Sequence, residues 1–273
     1  MRIDLLRGEA AAVTYDDGGD LDRVLSPRPF LTGTTRSGAG VTEVTPADHR
    51  HHLGLSLALP DVNGVSFWGG RTFRRDAGSV LLDNHGIQRV DEREVDASGG
   101  RLVETLTWLD HRDATVLAET RTITATETAE GWDLTWRSRL CATAGDVTFG
   151  SPQTNGRDGA FYGGLFWRTP FERATVRTHD GAGIAAAHGS LSSWLAIDGP
   201  HASVVAATTT AMPWFVRDTG YVGFGPAVAV TERRRLAAGD TLDLTLAVAV
   251  MDAPSTAPDQ VGARLLSGIL EAV

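Results

Sequence analysis

The sequence predicts an all-β fold, a large antiparallel β-sandwich that ends in a short C-terminal helix. Apolar and polar residues alternate with a period of two over several segments, as they do in half-buried strands. Turn-forming residues separate these segments, and only the last part of the chain has helical spacing. The 273 residues contain no linker-like stretch, so a single domain over 1–273 is expected.

Four strands are predicted from alternation and one from an apolar run. Residues 102–109 alternate apolar and polar side chains, and a Ser-Gly-Gly turn precedes them. In 116–125 and 132–140, dense threonine, valine and tryptophan favour strand over helix. The apolar run 202–207 is typical of a strand that is buried on both faces, and the alternation returns at 242–250.

A helix is predicted at the C-terminus. Pro258 and Asp259 favour a helix start, because proline is tolerated in the first turn and an acidic residue complements the helix dipole. Apolar residues then recur at three- and four-residue spacing on one face, namely Val261, Leu265, Leu266, Ile269 and Leu270.

The composition limits the chemistry that the chain can perform. All 25 Lys+Arg residues are arginine, so lysine Schiff bases and phosphate-loop lysines are excluded. A net charge of −9 argues against nucleic acid or an anionic membrane as partner. Cys141 is the only cysteine, and no apolar run reaches the length of a membrane span. A cytoplasmic protein with a small-molecule partner is therefore expected.

A histidine cluster is the most unusual local pattern. Three of the eight histidines lie in the block Asp48-His49-Arg50-His51-His52. On a strand, His49 and His51 would share one face and His52 the other. Imidazoles at this spacing either transfer protons near neutral pH, with His49 and His52 as catalytic residues, or bind a divalent metal through His49 and His51. Structural histidines are the third reading.

Further polar and aromatic residues are candidates for the same site. His85 follows Asn84 in a glycine-containing turn and is a third candidate for acid–base catalysis. Aromatic side chains stack on sugar rings, while amides and guanidinium groups hydrogen-bond hydroxyls or carboxylates. The candidates for substrate binding are Asn84, Asn155, Arg157, Tyr162, Trp167, Arg168 and Trp214, with Arg217 beside them.

Several of these motifs resemble the bacterial PmoA-like family, a domain of unknown function. The resemblance rests on Arg28-Pro29-Phe30-Leu31, on Asp48 to Leu55, and on Asp61-Val62-Asn63-Gly64 to Phe67-Trp68-Gly69, and it continues more loosely to Trp167-Arg168. Many members carry arginine where this chain has Leu53. The family name refers to a methane oxygenase subunit, which needs apolar spans that this chain lacks. The resemblance implies a supersandwich like that of aldose epimerases (galactose mutarotases) and a role in carbohydrate use.

The residues and the resemblance together favour a carbohydrate-active enzyme. It would be a lyase, hydrolase or epimerase that acts on a glycoside or an oxidised sugar, with histidine acid–base or metal-assisted chemistry. One alternative is a non-catalytic sugar-binding sandwich. A histidine-ligated metal oxygenase, with Asp48 or Glu43 as carboxylate ligand, is another. A two-carboxylate glycosidase would need a pair such as Glu104 and Glu119.

Overall fold

The computed structural model describes residues 1–7, 12–96 and 98–271, and 48% of it is strand against 8% helix. Strands in the first half are β1 (Arg2–Arg7), β2 (Ala12–Asp16), β3 (Phe30–Thr34), β4 (Leu55–Ala58), β5 (Asp61–Val62), β6 (Thr72–Arg74), β7 (Gly78–Val80), β8 (Ile87–Val95), β9 (Arg101–Leu109), β10 (Thr115–Glu127) and β11 (Gly131–Cys141). Strands in the second half are β12 (Val147–Gly150), β13 (Gly164–Arg168), β14 (Thr175–Thr178), β15 (Gly181–Ala182), β16 (Trp194–Asp198), β17 (Ser203–Ala207), β18 (Trp214–Thr219), β19 (Tyr221–Pro226), β20 (Arg234–Leu236) and β21 (Thr241–Met251).

Two large sheets contain most of the strands. A seven-stranded sheet has the order β1-β2-β3-β4-β13-β19-β18, and a nine-stranded sheet has the order β15-β14-β16-β17-β21-β11-β10-β9-β8. The strand pairs within them are antiparallel. Smaller sheets β20-β12-β5 and β6-β7 lie beside them. The predicted antiparallel sandwich is thus confirmed.

The core fills the space between the two large sheets. One continuous apolar cluster takes side chains from both of them, including Trp136 of β11 and Trp167 of β13. Trp167 stacks between Trp132 and Phe224, with ring centroids 6.4 and 5.9 Å away. Large aromatic rings dominate this layer because each removes a large apolar area from water.

Each predicted strand is present, with its ends within a residue or two of the predicted ones. The C-terminal helix, α2 (Pro258–Glu271), is also confirmed, and it packs on the outer face of the nine-stranded sheet. Leu265 and Ile269 are buried there, whereas Leu270 is 66% exposed and does not belong to the apolar face. Two short helical turns, Arg23–Leu25 and α1 (Ile184–Ala187), were not predicted. Neither they nor α2, among the described residues, has the length and apolar character of a membrane-crossing helix.

A charged network lies within the core. The guanidinium of Arg121 donates to both carboxylate oxygens of Glu119 and lies 3.6 Å from the carboxylate of Glu104. Glu104 also accepts hydrogen bonds from Tyr15 of the seven-stranded sheet and from Arg93. Glu104 and Glu119 are therefore buried structural groups, and the glycosidase pair considered above is wrong.

Strand alternation gives the seven-stranded sheet a second apolar face, turned away from the main core. Trp167 and Trp214 belong to the core between the sheets, while their neighbours Phe166 and Phe215 belong to a separate cluster with Trp68. Successive side chains of a strand point to opposite faces, which explains this division. The candidate functional site lies on this outer face.

Candidate functional site

A cavity of about 530 Å³ opens on the outer face of the seven-stranded sheet. Its volume is in the range of small-molecule sites. Titratable and aromatic side chains from four separate segments line it, and they are His49, His51, His52, Trp68, Arg157, Asp158, Tyr162, Phe215, Arg217 and Tyr221. The cavity therefore brings together the histidine cluster and three of the predicted substrate-binding residues, Arg157, Tyr162 and Arg217.

The histidines lie in a turn. They do not lie on a strand, the arrangement considered in the sequence analysis. Backbone hydrogen bonds from His49 to Pro46 and from His52 to His49 close two successive turns. This geometry brings all three rings to one place. The His49 and His52 rings stack with centroids 4.6 Å apart, and the His51 ring meets that of His52 edge-on at 4.8 Å.

His49 is paired with a carboxylate. Its Nδ1 lies 2.8 Å from Oδ2 of Asp48, and its ring also contacts Tyr221 with centroids 4.9 Å apart. Hydrogen bonds from His49 and Arg168 outweigh desolvation and lower the pKa of Asp48, so this carboxylate is ionised at neutral pH. A carboxylate on Nδ1 orients an imidazole and stabilises its protonated form, which leaves Nε2 to exchange a proton with a ligand.

His52 is buried and held in one tautomer. Its Nδ1 lies 3.3 Å from a guanidinium nitrogen of Arg168, and because arginine only donates, Nδ1 must accept. The proton of neutral His52 is therefore on Nε2, which has no hydrogen-bond partner in the described part of the chain. Burial, followed by the neighbouring imidazoles and Arg168, lowers the pKa of His52 far below its ordinary value. His52 is a neutral hydrogen-bond donor.

His51 is kept neutral in a similar way. Burial lowers its pKa to about 3, and the positive charge of Arg28 acts in the same direction. Arg28 donates to the backbone oxygen of His51 at 2.8 Å, which anchors the turn from below. The backbone of Gly70 packs directly against the imidazole of His51.

His85 lies behind the cavity and does not line it, so the structure places it outside the set of groups that would touch a ligand. Its Nε2 lies 2.7 Å from the backbone oxygen of Gly70, to which it donates. Only 4% of His85 is exposed. Since Gly70 packs against His51, His85 is a positioning residue for the histidine turn.

Aromatic rings form one wall of the cavity. Trp68 and Tyr162 contact each other with ring centroids 4.5 Å apart, and Phe215 meets Tyr162 edge-on at 5.5 Å. Burial raises the pKa of Tyr162 to about 12, so its hydroxyl stays protonated and is available to donate to a ligand. Such a wall offers both ring surface and a hydroxyl to a ligand.

Arginines surround the histidines. Arg157 and Arg217 line the cavity, whereas Arg168 lies beneath it and is 4% exposed. The guanidinium of Arg168 pairs with Glu43 at 2.8 Å and with Asp48 at 3.2 Å. It also lies 4.5 Å from the centre of the Tyr221 ring. Arg168 is therefore a support for Asp48 and His52 and not a direct substrate ligand.

Two predicted sugar-stacking residues are corrected by the structure. Trp167 and Trp214 are almost fully buried between the sheets, and their indole nitrogens donate to the backbone oxygens of Val41 and Ser192. Trp167 follows Phe166 and Trp214 precedes Phe215, and both phenylalanines are on the face that carries the cavity. Because successive side chains of a strand point to opposite faces, the two tryptophans point away from the cavity. Both tryptophans stabilise the core.

Asn84 and Asn155 lie in a second cavity of about 340 Å³, beyond the Trp68–Tyr162 wall. Asn84 donates to the backbone of Gly64 and bonds Thr72. Asn155 donates to Asp61, which Arg233 also holds through both carboxylate oxygens. The structure does not bring these two asparagines to the histidines.

Tyr221 was not predicted from the sequence, although it contacts His49, His52 and Arg168. Trp68 entered only as part of a motif, and Asp158 not at all. Tyr221 sits at the start of β19, on the same face as Gly223, which pairs with both Arg168 and Arg217. Residues two apart on a strand share a face, so the spacing of Tyr221 and Gly223 was the sequence signal that could have placed Tyr221 beside these arginines.

The predicted metal ligands do not come together in a full set. His49 and His51 have ring centroids 5.7 Å apart, and Nδ1 of His49 is engaged by Asp48. In the described ranges, no three His, Cys, Asp or Glu side chains are arranged to hold a metal ion. The arrangement fits proton transfer by imidazoles better than it fits metal ligation.

Comparison with solved structures identifies the fold. A putative aldose 1-epimerase from Escherichia coli K12 superimposes with a TM-score of 0.51 at 9% identity, over 92% of this chain and 98% of that one. A galactose mutarotase-like protein from Lactobacillus casei gives a TM-score of 0.50 at 8% identity, over 92% of this chain and 100% of the other. The predicted likeness to galactose mutarotase-like sandwiches is confirmed at the level of fold.

Sequence comparison places almost the whole chain in one family. Residues 2–263 match the profile described as a family of unknown function, DUF6807. No protein with curated annotation matches the sequence. The family match bears out a domain of unknown function, and it does not carry the PmoA-like name.

Proposed function

This chain belongs to the DUF6807 family of unknown function, and on that premise we propose that it is a carbohydrate-acting lyase or epimerase in which histidines transfer protons. The observation that carries the proposal is the convergence of His49, His51 and His52 with an aromatic wall in one cavity. The aldose-epimerase-like fold supports a carbohydrate-related role. The fold alone does not specify the reaction.

In the proposed reaction, His49 removes a proton from the carbon next to the carbonyl of an oxidised sugar. Asp48, held by Arg168, orients His49 and stabilises the resulting imidazolium. The C–H bonding pair forms a C=C bond, and the carbonyl oxygen becomes an enolate oxygen. His52 donates from Nε2 and Tyr162 from its hydroxyl, and these are the groups available to stabilise that oxygen.

The enolate then has two fates. In an epimerase, the enolate takes a proton from water on the opposite face of the same carbon, the carbonyl re-forms, and the His49 imidazolium neutralises the hydroxide. In a lyase, a substituent on the adjacent carbon departs with its bonding pair and is protonated by the imidazolium.

The first prediction concerns His49. Incubation of a panel of keto-glycosides and aldoses in D₂O, followed by ¹H NMR, measures loss of the proton next to the carbonyl. The wild-type protein should exchange this proton, and His49→Gln should slow the exchange by about 100-fold or more, as loss of a general base does. His201→Gln is the matched control because His201 is exposed and outside the cavity.

Equal exchange rates in His49→Gln and the wild type would rule out this mechanism. Saturable sugar binding by the wild type without exchange or product would support the non-catalytic sugar-binding alternative, which the Trp68–Tyr162 wall favours. A divalent metal on His49 and His51 stays a prediction. Elemental analysis of active protein tests it.

A further inference from the structure

Arg157 and Arg217 line the cavity without anionic partners. Some other arginines of the chain have carboxylate partners, for example Arg177 with Asp198 at 2.7 Å and Arg233 with Asp61 at 2.7 Å. In the described part of the chain, neither Arg157 nor Arg217 forms an ion pair or a side-chain hydrogen bond. Two guanidinium groups without a counterion therefore face the same cavity, in a protein of net charge −9.

The two side chains come from separate elements and line the same cavity. Arg157 is in the loop between β12 and β13, and Arg217 is on β18. The guanidinium of Arg217 lies 5.2 Å from the centre of the Tyr221 ring. The guanidinium of Arg168 lies 4.5 Å from the same ring, and Arg157 lines the cavity with Tyr221.

A third cation lies behind the histidine turn. Arg28 is 2% exposed, and it donates to the Ser56 hydroxyl and to the backbone oxygens of Leu25, Ser26, His51 and Trp68. In the ranges that the structure describes, none of its partners is a carboxylate. Burial lowers its pKa to about 9, which leaves it charged at neutral pH. A buried charge without a counterion favours an anion in the adjacent cavity.

The carboxylates nearby do not cancel this positive charge. Asp48 is shared between His49 and Arg168, and Glu43 is paired with Arg168. Asp158 lines the cavity but forms no ion pair with Arg157 or Arg217 among the described residues. The cavity keeps free donors for an anionic ligand group.

We propose that the ligand of this cavity is a carbohydrate with an anionic group, a carboxylate or a phosphate, which Arg157 and Arg217 bind. The inference deepens the proposed function by naming the substrate class. Guanidinium groups bind carboxylates and phosphates through paired, charge-assisted hydrogen bonds. The sugar ring would lie against the Trp68–Tyr162 wall, with its reacting carbon toward His49.

The second prediction tests this by calorimetric titration of the whole protein with glucuronate, galacturonate, glucose 6-phosphate and glucose. The wild type should bind at least one charged sugar about tenfold or more tightly than glucose. The double variant Arg157→Gln/Arg217→Gln should lose that preference. Arg234→Gln, on the exposed strand β20 away from the cavity, should keep it.

Each outcome decides the question. Preference for the uronates identifies a carboxylate, and preference for the sugar phosphate identifies a phosphate. Equal affinity for charged and neutral sugars, or a preference that survives in the double variant, would overturn the inference. If the protein exchanges the proton of a neutral keto-sugar and shows no preference for charged sugars, the proposed reaction stands and the anionic ligand is ruled out. If it prefers charged sugars but exchanges no proton on any sugar, the anionic ligand stands and the proposed reaction is ruled out.

Discussion

Three neighbouring histidines have different chemical capacities because their surroundings differ. His49 is partly exposed and has a carboxylate on Nδ1, which suits a group that gains and loses a proton. His51 and His52 are enclosed by rings and guanidinium groups, and their pKa values fall well below the ordinary one. An imidazole that is always neutral can donate a hydrogen bond from its N–H group to a developing oxyanion while it keeps that proton.

The third prediction is a pH dependence of stability that comes from these two histidines. An unfolded histidine binds a proton near pH 6.5, whereas folded His51 does so only near pH 3. Between these values the unfolded state binds more protons, so the free energy of unfolding decreases as the pH falls below 6.5. For one such histidine the slope approaches about 1.4 kcal/mol per pH unit.

Urea unfolding at pH 7 and pH 5 measures this effect. We expect the wild type to lose more stability between these two values than His51→Gln, which has no group to protonate at that position. Asp48 does not interfere, because its pKa is lowered from 3.8 and it titrates below this range. An identical loss in the two proteins would mean that His51 is not held neutral by the fold.

At the scale of elements, the site is a product of strand register. Arg168 of β13 and Arg217 of β18 both pair with Gly223 of β19, so they occupy one row across three strands. Phe215 pairs with Gly225, two residues further along β19, and so belongs to a parallel row. Gly223 allows the Phe166 ring to pack directly against β19, because a Cβ there would lie 2.6 Å from that ring.

Part of the candidate site could be predicted from the sequence. The histidine block, Arg157 and Tyr162 stand out by residue type, and they meet in the cavity. Trp167 and Trp214 were misassigned because side-chain chemistry was considered without strand parity. His85 and Asn84 could not be placed, since their distance from the histidines depends on a loop whose path the local sequence does not specify.

The fourth prediction concerns the loop that supports the histidine turn. Gly70 has φ of +70°, and a Cβ there would lie 2.6 Å from Nδ1 of His51. Gly70→Ala should therefore displace His51 and slow proton exchange by about tenfold or more, since an error of about 1 Å in a site is costly. Exchange rate and Tm of the variant provide the measurement.

Gly78 supplies the matched control for backbone strain. Its φ is +68°, nearly the same as that of Gly70, but a Cβ there would meet nothing within 4 Å. Both substitutions place an L-residue in the left-handed region, at a cost of roughly 1–2 kcal/mol. If Gly78→Ala slowed exchange as much as Gly70→Ala, general strain and not the contact with His51 would be responsible.

At the scale of the whole molecule, a polar network ties the two sheets together through an otherwise apolar core. Tyr15 of the seven-stranded sheet donates to Glu104 of the nine-stranded sheet at 2.5 Å, and Arg121 lies against Glu104 and Glu119. Trp108 donates to Glu119 as well. Buried charges of this kind are tolerated only when their partners remain in place.

The fifth prediction is that Arg121→Met strongly destabilises the protein. It would leave Glu104 and Glu119 buried without their shared cation, and breaking a buried pair in this way typically costs about 3–5 kcal/mol in the free energy of unfolding. Equilibrium urea unfolding is the measurement. Arg139→Met, which removes an exposed pair with Asp243, should leave the midpoint unchanged, and equal losses in both variants would refute a special role for the buried network.

The fold was predictable where the pattern is long and local. Strands β9, β10, β11 and β21 carry uninterrupted alternation, and α2 has a clear apolar spacing. Short strands such as β5 and β15, with two residues each, have too little sequence to show a period. The order of strands within each sheet depends on contacts between distant segments, which periodicity does not encode.

The pairing of β4 with β13 also determines when the site can exist. Leu57 pairs with Leu165, so the strand next to the histidine turn and the strand that carries Arg168 are joined only after the chain has closed a very long loop. Loops of this kind close slowly, whereas hairpins such as β9–β10 and β10–β11 form from adjacent segments. A refolding chain should therefore form the β8-β9-β10-β11 part of the nine-stranded sheet before it can recognise a ligand.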